Sequence, residues 1–414
     1  MRRRRAAVAA LAVAATVLCA VAPAIVAPAS ADAIRSREYW LDDYGIRSAW
    51  KTTRGAGVTV AVIDTGIDST HPDLDGVVAD GTDFSGLGSG GKPVGSTDDA
   101  SHGTMVASLL AGRGRGTDGI IGVAPEAKIL SVSIGFGEET VGSDQQIADA
   151  VLWAVDHGAD VINMSLTRNT PDWPTSWDEA FLYAMEHDVV VVAAAGNRGS
   201  GTTVVGAPAT MPGVLTGAGL DRAGAASLDA SSQGITIGVA APSEQLVGAV
   251  PGGGYVIWNG TSGATPLVAG VVALVRSAHP DLDAANVINR LTDTATAAGA
   301  QGVDPIYGFG KINAKRAVSG SVDATTTNPM GDLAEWVRLY RRAEATPAPI
   351  ATATPTPQPT ATSVVQPPAA SGPSGVIGLR DVGIPLLFFG GFALALAVLI
   401  FAARRHFGGL RRRE

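Results

Sequence analysis

Three polar side chains stand in short motifs spread over about two hundred residues of the chain. Asp64 lies in the string V-A-V-I-D-T-G, His102 in S-H-G-T and Ser262 in G-T-S-G-A-T-P. A serine hydroxyl is a weak nucleophile, and it is activated by a histidine that a carboxylate orients. These residue types predict acyl transfer in which Ser262 attacks, His102 takes and returns the proton, and Asp64 fixes the tautomer of His102.

The segment after Ser262 predicts a helix whose N-terminus lies beside the nucleophile. Residues 267–275 form an apolar run, and Pro266 fits a first helical turn, where an N–H has no intrahelical partner. We expect Ser262 just ahead of this helix, among free N–H groups and a positive dipole that favour an oxyanion. Asn197, in a turn after V-V-V-V-A-A-A, would donate its amide to that oxyanion, with the Ser262 N–H as the second donor.

Each of these motifs has an alternative interpretation. Asp-Thr-Gly also marks aspartic proteases, which need two aspartates, but the sequence holds no second copy. His71, in S-T-H-P-D-L, is a second candidate base, although we expect it to pack in the loop after Asp64. Asn197 also fits a simple turn residue. The Ser262 segment departs from the G-x-S-x-G elbow of α/β-hydrolases because Ala264 replaces the last glycine, which disfavours an esterase or lipase.

Four apolar runs predict the strands that position these residues. They are residues 58–64, 128–134, 161–166 and 189–194. Continuous rather than alternating apolar runs are typical of parallel strands that are covered on both faces. Helical patterns alternate with them, over residues 145–156 and from a capping-box sequence at 176–179 to His187. The pattern predicts a three-layer α/β domain, with functional residues at the carboxyl ends of the strands.

The two ends of the chain predict export and membrane anchoring. Residues 1–33 combine a basic start, an apolar stretch and small-residue cleavage candidates, which indicates a secretory signal peptide; an uncleaved anchor is the alternative. Residues 382–403 carry no charge and would span about 33 Å as a transmembrane helix. Residues 404–414 form a basic tail, so we expect a single-pass type I protein of the cell membrane with its main domain extracytoplasmic.

Composition divides the remainder of the chain. Residues 34–320 hold the motifs, 321–344 predict a short helical extension, and 345–381 form a Pro/Thr/Ala-rich stalk; the alternative for the stalk is a site for a proline-binding partner. The one cysteine, Cys19, lies in the signal, so the mature chain has no disulfide. Without the four arginines of the signal and the basic tail, residues 6–403 carry 21 basic and 37 acidic residues, a net charge of −16, and we expect no nucleic-acid partner.

Taken together, the ordered motifs resemble the subtilisin family of serine endopeptidases. The resemblance runs over about residues 50–318 and includes H-P-D-L, G-V-A-P, V-I-N-M-S-L, A-A-A-G-N and Y-G-F-G-K-I-N-A. It implies a mostly parallel sheet of about seven strands flanked by helices, a protein or peptide substrate, and an acyl-enzyme intermediate. Asp64, His102 and Ser262 carry over as the triad, in the chain order of subtilisin, and Asn197 as the oxyanion donor.

A narrower resemblance is to the mycosins, the membrane-anchored subtilases of type VII secretion systems in actinobacteria. The shared features are the signal, the segment Y-W-L-D-D-Y-G-I-R-S-A-W, the proline-rich stalk and the C-terminal span. The mature chain lacks the disulfide cysteines usual in mycosins. This resemblance implies secretion-complex subunits as partners. The competing function is a structural subunit of such a complex, for which proteolysis is secondary.

Several positions depart from the family pattern. Met105 stands where the family usually has a second histidine, Gly263 where it has methionine, and Leu267 where it has histidine. Thr167 and Arg168 replace a Gly-Gly that lets the backbone pair with substrate. We expect these two side chains to narrow the cleft or reset specificity, with Arg168 meeting an acidic residue; projection into solvent is the alternative.

The resemblance also raises the question of structural calcium, which some subtilisins bind. The hard oxygen ligands that calcium prefers could come from the loop at residues 112–119 or from Asp73, Asp75, Asp80 and Asp83. Solvated carboxylates in a loop are the favoured interpretation. No metal and no cofactor are therefore assigned from the sequence.

Overall fold

A computed structural model describes residues 32–341 of the chain, apart from residues 89, 97–98, 116–117 and 137–141. The predicted motif-bearing domain and most of the predicted extension lie within this range. The predicted stalk, membrane span and basic tail, and all but the end of the predicted signal, lie outside the described residues.

Seven strands form the central sheet. They are β1 (Thr59–Asp64), β2 (Val78–Asp83), β5 (Lys128–Ser133), β6 (Val161–Met164), β7 (Val190–Ala194), β8 (Leu215–Leu220) and β9 (Ile237–Pro242). Their order is β2-β5-β1-β6-β7-β8-β9, and each neighbouring pair is parallel. Two hairpins lie outside this sheet, β3 (Arg113–Arg115) with β4 (Asp118–Ile121), and β10 (Leu246–Val250) with β11 (Gly254–Trp258). The predicted parallel sheet of about seven strands is confirmed.

The helices of the described residues fall into long and short segments. The longer ones are α4 (His102–Ala111), α5 (Ser143–Asp156), α6 (Thr175–Glu186), α7 (Thr261–Ala278), α8 (Ala284–Asp293) and α10 (Leu333–Tyr340). The shorter ones are α1 (Asp32–Arg35), α2 (Trp40–Asp43), α3 (Ile46–Ala49) and α9 (Ala314–Ser319).

Both faces of the sheet are covered by helices. Every residue of β6, β7, β8 and β9 is buried, and successive side chains of a strand point to opposite faces. Helices α4 and α7 pack against each other and against the sheet, as do α5 and α6. Burial on both faces explains why the apolar runs are continuous, and it gives the three layers that the sequence predicts.

Helix α7 is the core helix of the domain. Among the described residues it is the one helix long and apolar enough to span a membrane, but 83% of its length is buried inside the protein. It contacts five sheet strands, so its apolar side chains pack in the centre of the domain.

Helix α6 begins differently from the prediction. Thr175 is its first residue, and Pro174 precedes it without a side-chain cap. Asp178, in the predicted capping box, instead accepts a hydrogen bond from Trp173 Nε1 at 2.6 Å and pairs with Arg341 at 2.8 Å. The capping-box prediction is wrong because Ser176 is the second residue of α6 and not its N-cap.

Candidate active site

Asp64 and His102 meet at the carboxyl end of β1. Asp64 is the last residue of β1 and His102 the first residue of α4. The Oδ1 atom of Asp64 lies 2.8 Å from Nδ1 of His102, and it also accepts the N–H of Thr65 at 2.7 Å. Asp64 is only 2% exposed. A buried carboxylate bonded to Nδ1 holds the imidazole in the tautomer whose Nε2 is the basic atom.

Two glycines allow this approach. Gly66 has a φ of +88°, which favours glycine, and a Cβ on Gly103 would lie 2.3 Å from the Gly66 carbonyl oxygen. The Gly103 N–H donates to Thr65 Oγ1 at 3.1 Å. The glycines of Asp-Thr-Gly and Ser-His-Gly-Thr are therefore needed because the two motifs touch each other.

Ser262 lies in the first turn of α7, not ahead of it, because the helix begins at Thr261. Its Oγ donates a hydrogen bond to the carbonyl oxygen of Ser165 at 3.0 Å. In return, Ser165 Oγ donates to the carbonyl oxygen of Ser262 at 2.9 Å. Ser165 directly follows β6, so this reciprocal pair joins the nucleophile segment to the carboxyl end of the sheet.

Pro266 explains why the Ser262 carbonyl takes this partner. It is the sixth residue of α7, so the prediction that it lies in the first turn is wrong. In a regular helix the N–H of residue 266 would bond to the carbonyl of Ser262, but proline has no N–H. The hydroxyl of Ser165 supplies the missing donor.

Asn197 contacts the same helix end. It follows β7 through Gly196, and its Oδ1 accepts the N–H of Thr261 at 2.8 Å and the hydroxyl of Thr261 at 3.0 Å. Since Oδ1 is engaged by two donors, Nδ2 is the end of this side chain that remains to donate. Asn197 thus binds Thr261, the residue immediately before Ser262, at the N-terminus of α7.

Of the four predicted residues, Asp64 and His102 contact each other directly, whereas Asn197 and Ser262 are linked through Thr261. Helices α4 and α7, which carry the base and the nucleophile, pack against each other.

Three further side chains lie at the site and were not singled out from the sequence. Ser165 and Thr261 make the contacts above, and both lie inside quoted motifs, V-I-N-M-S-L and G-T-S. Trp258 stands edge-on to His102, with the ring centroids 5.8 Å apart and the planes at 73°. The only sequence signal for Trp258 is an aromatic residue four positions before Ser262.

Arg168 pairs with an acidic residue of its own chain, so the proposed effect on specificity stays a prediction. Its guanidinium forms an ion pair with Asp144 at the start of α5, and its central carbon lies 5.6 Å from the ring centroid of Trp177. The Arg168 N–H donates to the Ala207 carbonyl at 2.7 Å. The side chain therefore packs towards α5 and α6 instead of extending freely into solvent.

His71, the second candidate base, is a packed loop residue. It is 1% exposed, and its Nδ1 accepts the N–H of Asp73 at 3.1 Å. Its Nε2 lies 3.3 Å from the Gly254 carbonyl, and its ring contacts Tyr255 edge-on. Nδ1 thus bonds within the loop after β1, and Nε2 lies against the start of β11. Both contacts favour the interpretation of His71 as a packed loop residue.

The acidic residues considered for calcium do not gather into a ligand set. Within the described part of the chain, no three His, Cys, Asp or Glu side chains group as metal ligands do. Asp73 Oδ2 accepts the Ile120 N–H and the Tyr255 hydroxyl, each at 2.8 Å. Asp83 Oδ1 accepts the Ser85 N–H at 3.1 Å. Asp83 thus holds its own loop, whereas Asp73 joins its loop to β4 and β11.

Comparison with known proteins extends this geometry. The sequence matches the subtilase family over residues 55–310. It is 38% identical over 272 residues to the thermophilic serine proteinase of Bacillus sp. (strain AK1), covering 66% of this chain and 64% of that protein. It is 39% identical over 267 residues to the subtilisin of Bacillus pumilus, covering 64% of this chain and 91% of the relative. The chain thus spans slightly less than two thirds of the AK1 proteinase.

Solved structures agree with the sequence comparison. The crystal structure of MycP1 from the ESX-1 type VII secretion system superimposes with a TM-score of 0.61 at 33% identity, covering 70% of this chain and 88% of MycP1. The family match includes more than half of the chain and all four predicted site residues. The chain therefore belongs to the subtilase family.

Proposed function

We propose that this protein is a serine endopeptidase that hydrolyses peptide bonds through Asp64, His102 and Ser262. The observation that carries the proposal is the 2.8 Å contact between buried Asp64 Oδ1 and His102 Nδ1. It occurs in a chain whose relatives include a subtilisin and a serine proteinase.

The proposed reaction begins when Ser262 Oγ redirects its hydrogen from the Ser165 carbonyl to Nε2 of His102. Oγ then attacks the peptide carbonyl carbon while Nε2 takes the proton. Collapse of the tetrahedral intermediate breaks the C–N bond, and His102 returns the proton to the leaving amine. Water then attacks the acyl-enzyme with His102 again as the base, and the bond to Ser262 Oγ breaks to release the carboxylic acid of the peptide. Asp64 stabilises the imidazolium at both stages.

The oxyanion of each tetrahedral intermediate would lie at the N-terminus of α7. Its donors would be Asn197 Nδ2 and the backbone N–H of Ser262, helped by the positive end of the helix dipole. The bonds from Thr261 to Asn197 Oδ1 support this role because they orient the amide before substrate arrives. Thr261 acts here as a positioning residue.

We also propose that the enzyme acts outside the cytoplasm as a single-pass type I membrane protein. The support is the sequence of the chain ends, with a signal at 1–33, a stalk at 345–381 and an apolar span at 382–403. Similarity to MycP1, a protein of a type VII secretion system, favours secretion-complex subunits as partners. A structural role in such a complex is the second candidate function.

The direct test is peptide hydrolysis by the full-length protein in detergent, using a mixed peptide library. Ser262→Ala should abolish cleavage, whereas Ser176→Ala, at an exposed position of α6, should leave it unchanged. Cleavage by Ser262→Ala at the wild-type rate would refute the assignment.

A second experiment separates the two candidate functions. The experiment uses a strain that lacks this protein and measures the secretion of proteins that depend on it. Wild type should restore that secretion. If proteolysis is essential, Ser262→Ala does not restore it. Full restoration by Ser262→Ala would favour the structural subunit.

A further inference from the structure

Trp258 lies between the two helices that carry the proposed base and nucleophile. It is the last residue of β11, and its ring stands edge-on to His102 with the centroids 5.8 Å apart. The His102 side chain is 28% exposed, and the indole of Trp258 covers part of its imidazole. The surroundings of Trp258 show why it takes this position.

One edge of the indole lies against the residue that follows the nucleophile. A Cβ on Gly263 would lie 3.3 Å from Cη2 and 3.4 Å from Cζ2 of Trp258, and 2.3 Å from Cδ1 of Leu246. A side chain at position 263 would therefore compete with the indole and with Leu246 for the same space. Glycine at this position therefore leaves room for Leu246 and for the indole.

The Nε1 atom of the indole lies near the histidine helix. A Cβ on Gly248 would lie 2.7 Å from Nε1 of Trp258 and 2.9 Å from Cβ of Met105. Met105 is three residues after His102, on the same helix. Trp258 Nε1 is buried and has no hydrogen-bond partner among the described residues. The indole is thus held by shape and not by a polar bond.

We propose that Trp258 is a positioning residue that holds the His102 imidazole against Asp64. The inference rests on the proposed triad. The edge-on ring restricts rotation of the imidazole, and it limits the access of water to the bond between Asp64 and His102. Misplacement of a reacting group by about 1 Å can cost about a hundredfold in rate.

The test compares Trp258→Ala and Trp258→Phe in the full-length protein, with Ile257→Ala as the matched control on the exposed face of the same strand. Trp258→Ala should lower kcat about tenfold to a hundredfold with little change in KM, because the loss falls on the transition state. Trp258→Phe keeps an aromatic edge and should retain most of kcat, and Ile257→Ala should match wild type. Thermal unfolding of each variant verifies that it is folded.

Two results would overturn the inference. An unchanged kcat in folded Trp258→Ala shows that His102 needs no such support. A loss confined to KM shows that Trp258 binds substrate instead of positioning the base. Ser262→Ala separates these results from failure of the triad itself, since an active Ser262→Ala variant refutes the triad, whereas an inactive one leaves only the role of Trp258 in question.

A double-mutant cycle tests whether the indole and a side chain at 263 occupy the same space. Gly263→Met alone should displace Trp258 and lower kcat. Combined with Trp258→Ala, the methionine can fill the vacated volume, so the double variant should be more active than the product of the two single effects predicts. Multiplicative losses would contradict the shared-space argument.

Discussion

The two ends of the Asn197 side chain have different tasks, and substitutions at this position can separate them. In the wild-type protein, Asn197 Oδ1 lies 2.8 Å from the Thr261 N and 3.0 Å from the Thr261 Oγ1. Asn197→Asp keeps an oxygen that can accept both bonds, but it removes the NH2 donor. Asn197→Ala removes both ends. Comparing the two variants therefore separates the support of the helix terminus from stabilisation of the oxyanion.

The expected magnitudes follow from these contacts. Two neutral hydrogen bonds are worth about 1 to 3 kcal/mol together, so Asn197→Ala should lose about this much unfolding free energy and Asn197→Asp much less. Both variants should lose turnover by about 10² to 10³, a magnitude taken from the equivalent donor of subtilisin and not worked out from this chain. KM should hold, because the donor acts on charge that develops in the transition state.

The assay pairs denaturant unfolding with steady-state peptide hydrolysis on the same preparations. Thr261→Val is a third, milder variant, since it deletes one of the two donors to Asn197 Oδ1, together with the acceptor of the Gly196 N–H, and leaves the Asn197 amide in place. Near-normal kcat in Asn197→Asp would refute the oxyanion role. Equal stability of Asn197→Asp and Asn197→Ala would refute the assignment of Oδ1 as a helix-terminus acceptor.

Two further predictions concern the buried carboxyl groups. Asp64→Asn should keep the fold but lose about 10⁴ in turnover, because an amide at this position favours the wrong tautomer of His102; hydrolysis near the wild-type rate would refute the triad. Burial raises the pKa of Glu38 from 4.5 to about 8, although Arg35 Nε lies 3.5 Å from its carboxylate. The folded state therefore keeps a proton that the unfolded chain releases, so stability falls as pH rises from about 4.5 to about 8, by roughly 5 kcal/mol at most. Glu38→Gln should remove this loss, and thermal unfolding at about pH 5 and about pH 9 measures it; an equal pH dependence in the variant and in wild type would contradict the role of Glu38.

The parts of the fold that local pattern determines could be predicted from the sequence. The predicted strand at 58–64 and the observed β1 differ by one residue, and the run at 161–166 overruns β6 by two. These segments are buried on both faces, so their apolar runs are unbroken and end where polar site residues begin. Because the apolar run of β1 ends at Asp64, the sequence alone places this residue at the carboxyl end of the strand.

Long-range contacts determine what the sequence could not show. The start of α7 depends on Asn197, which accepts the N–H of Thr261 from 64 residues away. The Ser262 carbonyl, which lacks a helical donor because of Pro266, accepts the hydroxyl of Ser165, 97 residues earlier in the chain. The position of Trp258 depends on the space left by a glycine on another element. Local propensity carries no information about such partners.

The central claim is that Ser262 is a nucleophile activated by His102. The most direct measurement is covalent labelling of the full-length protein with a fluorophosphonate probe, with Ser262→Ala and His102→Ala as controls. We expect labelling of wild type at Ser262, and none at that site in either variant. Labelling of Ser262 that is undiminished in His102→Ala, or no labelling of folded wild type, would contradict it.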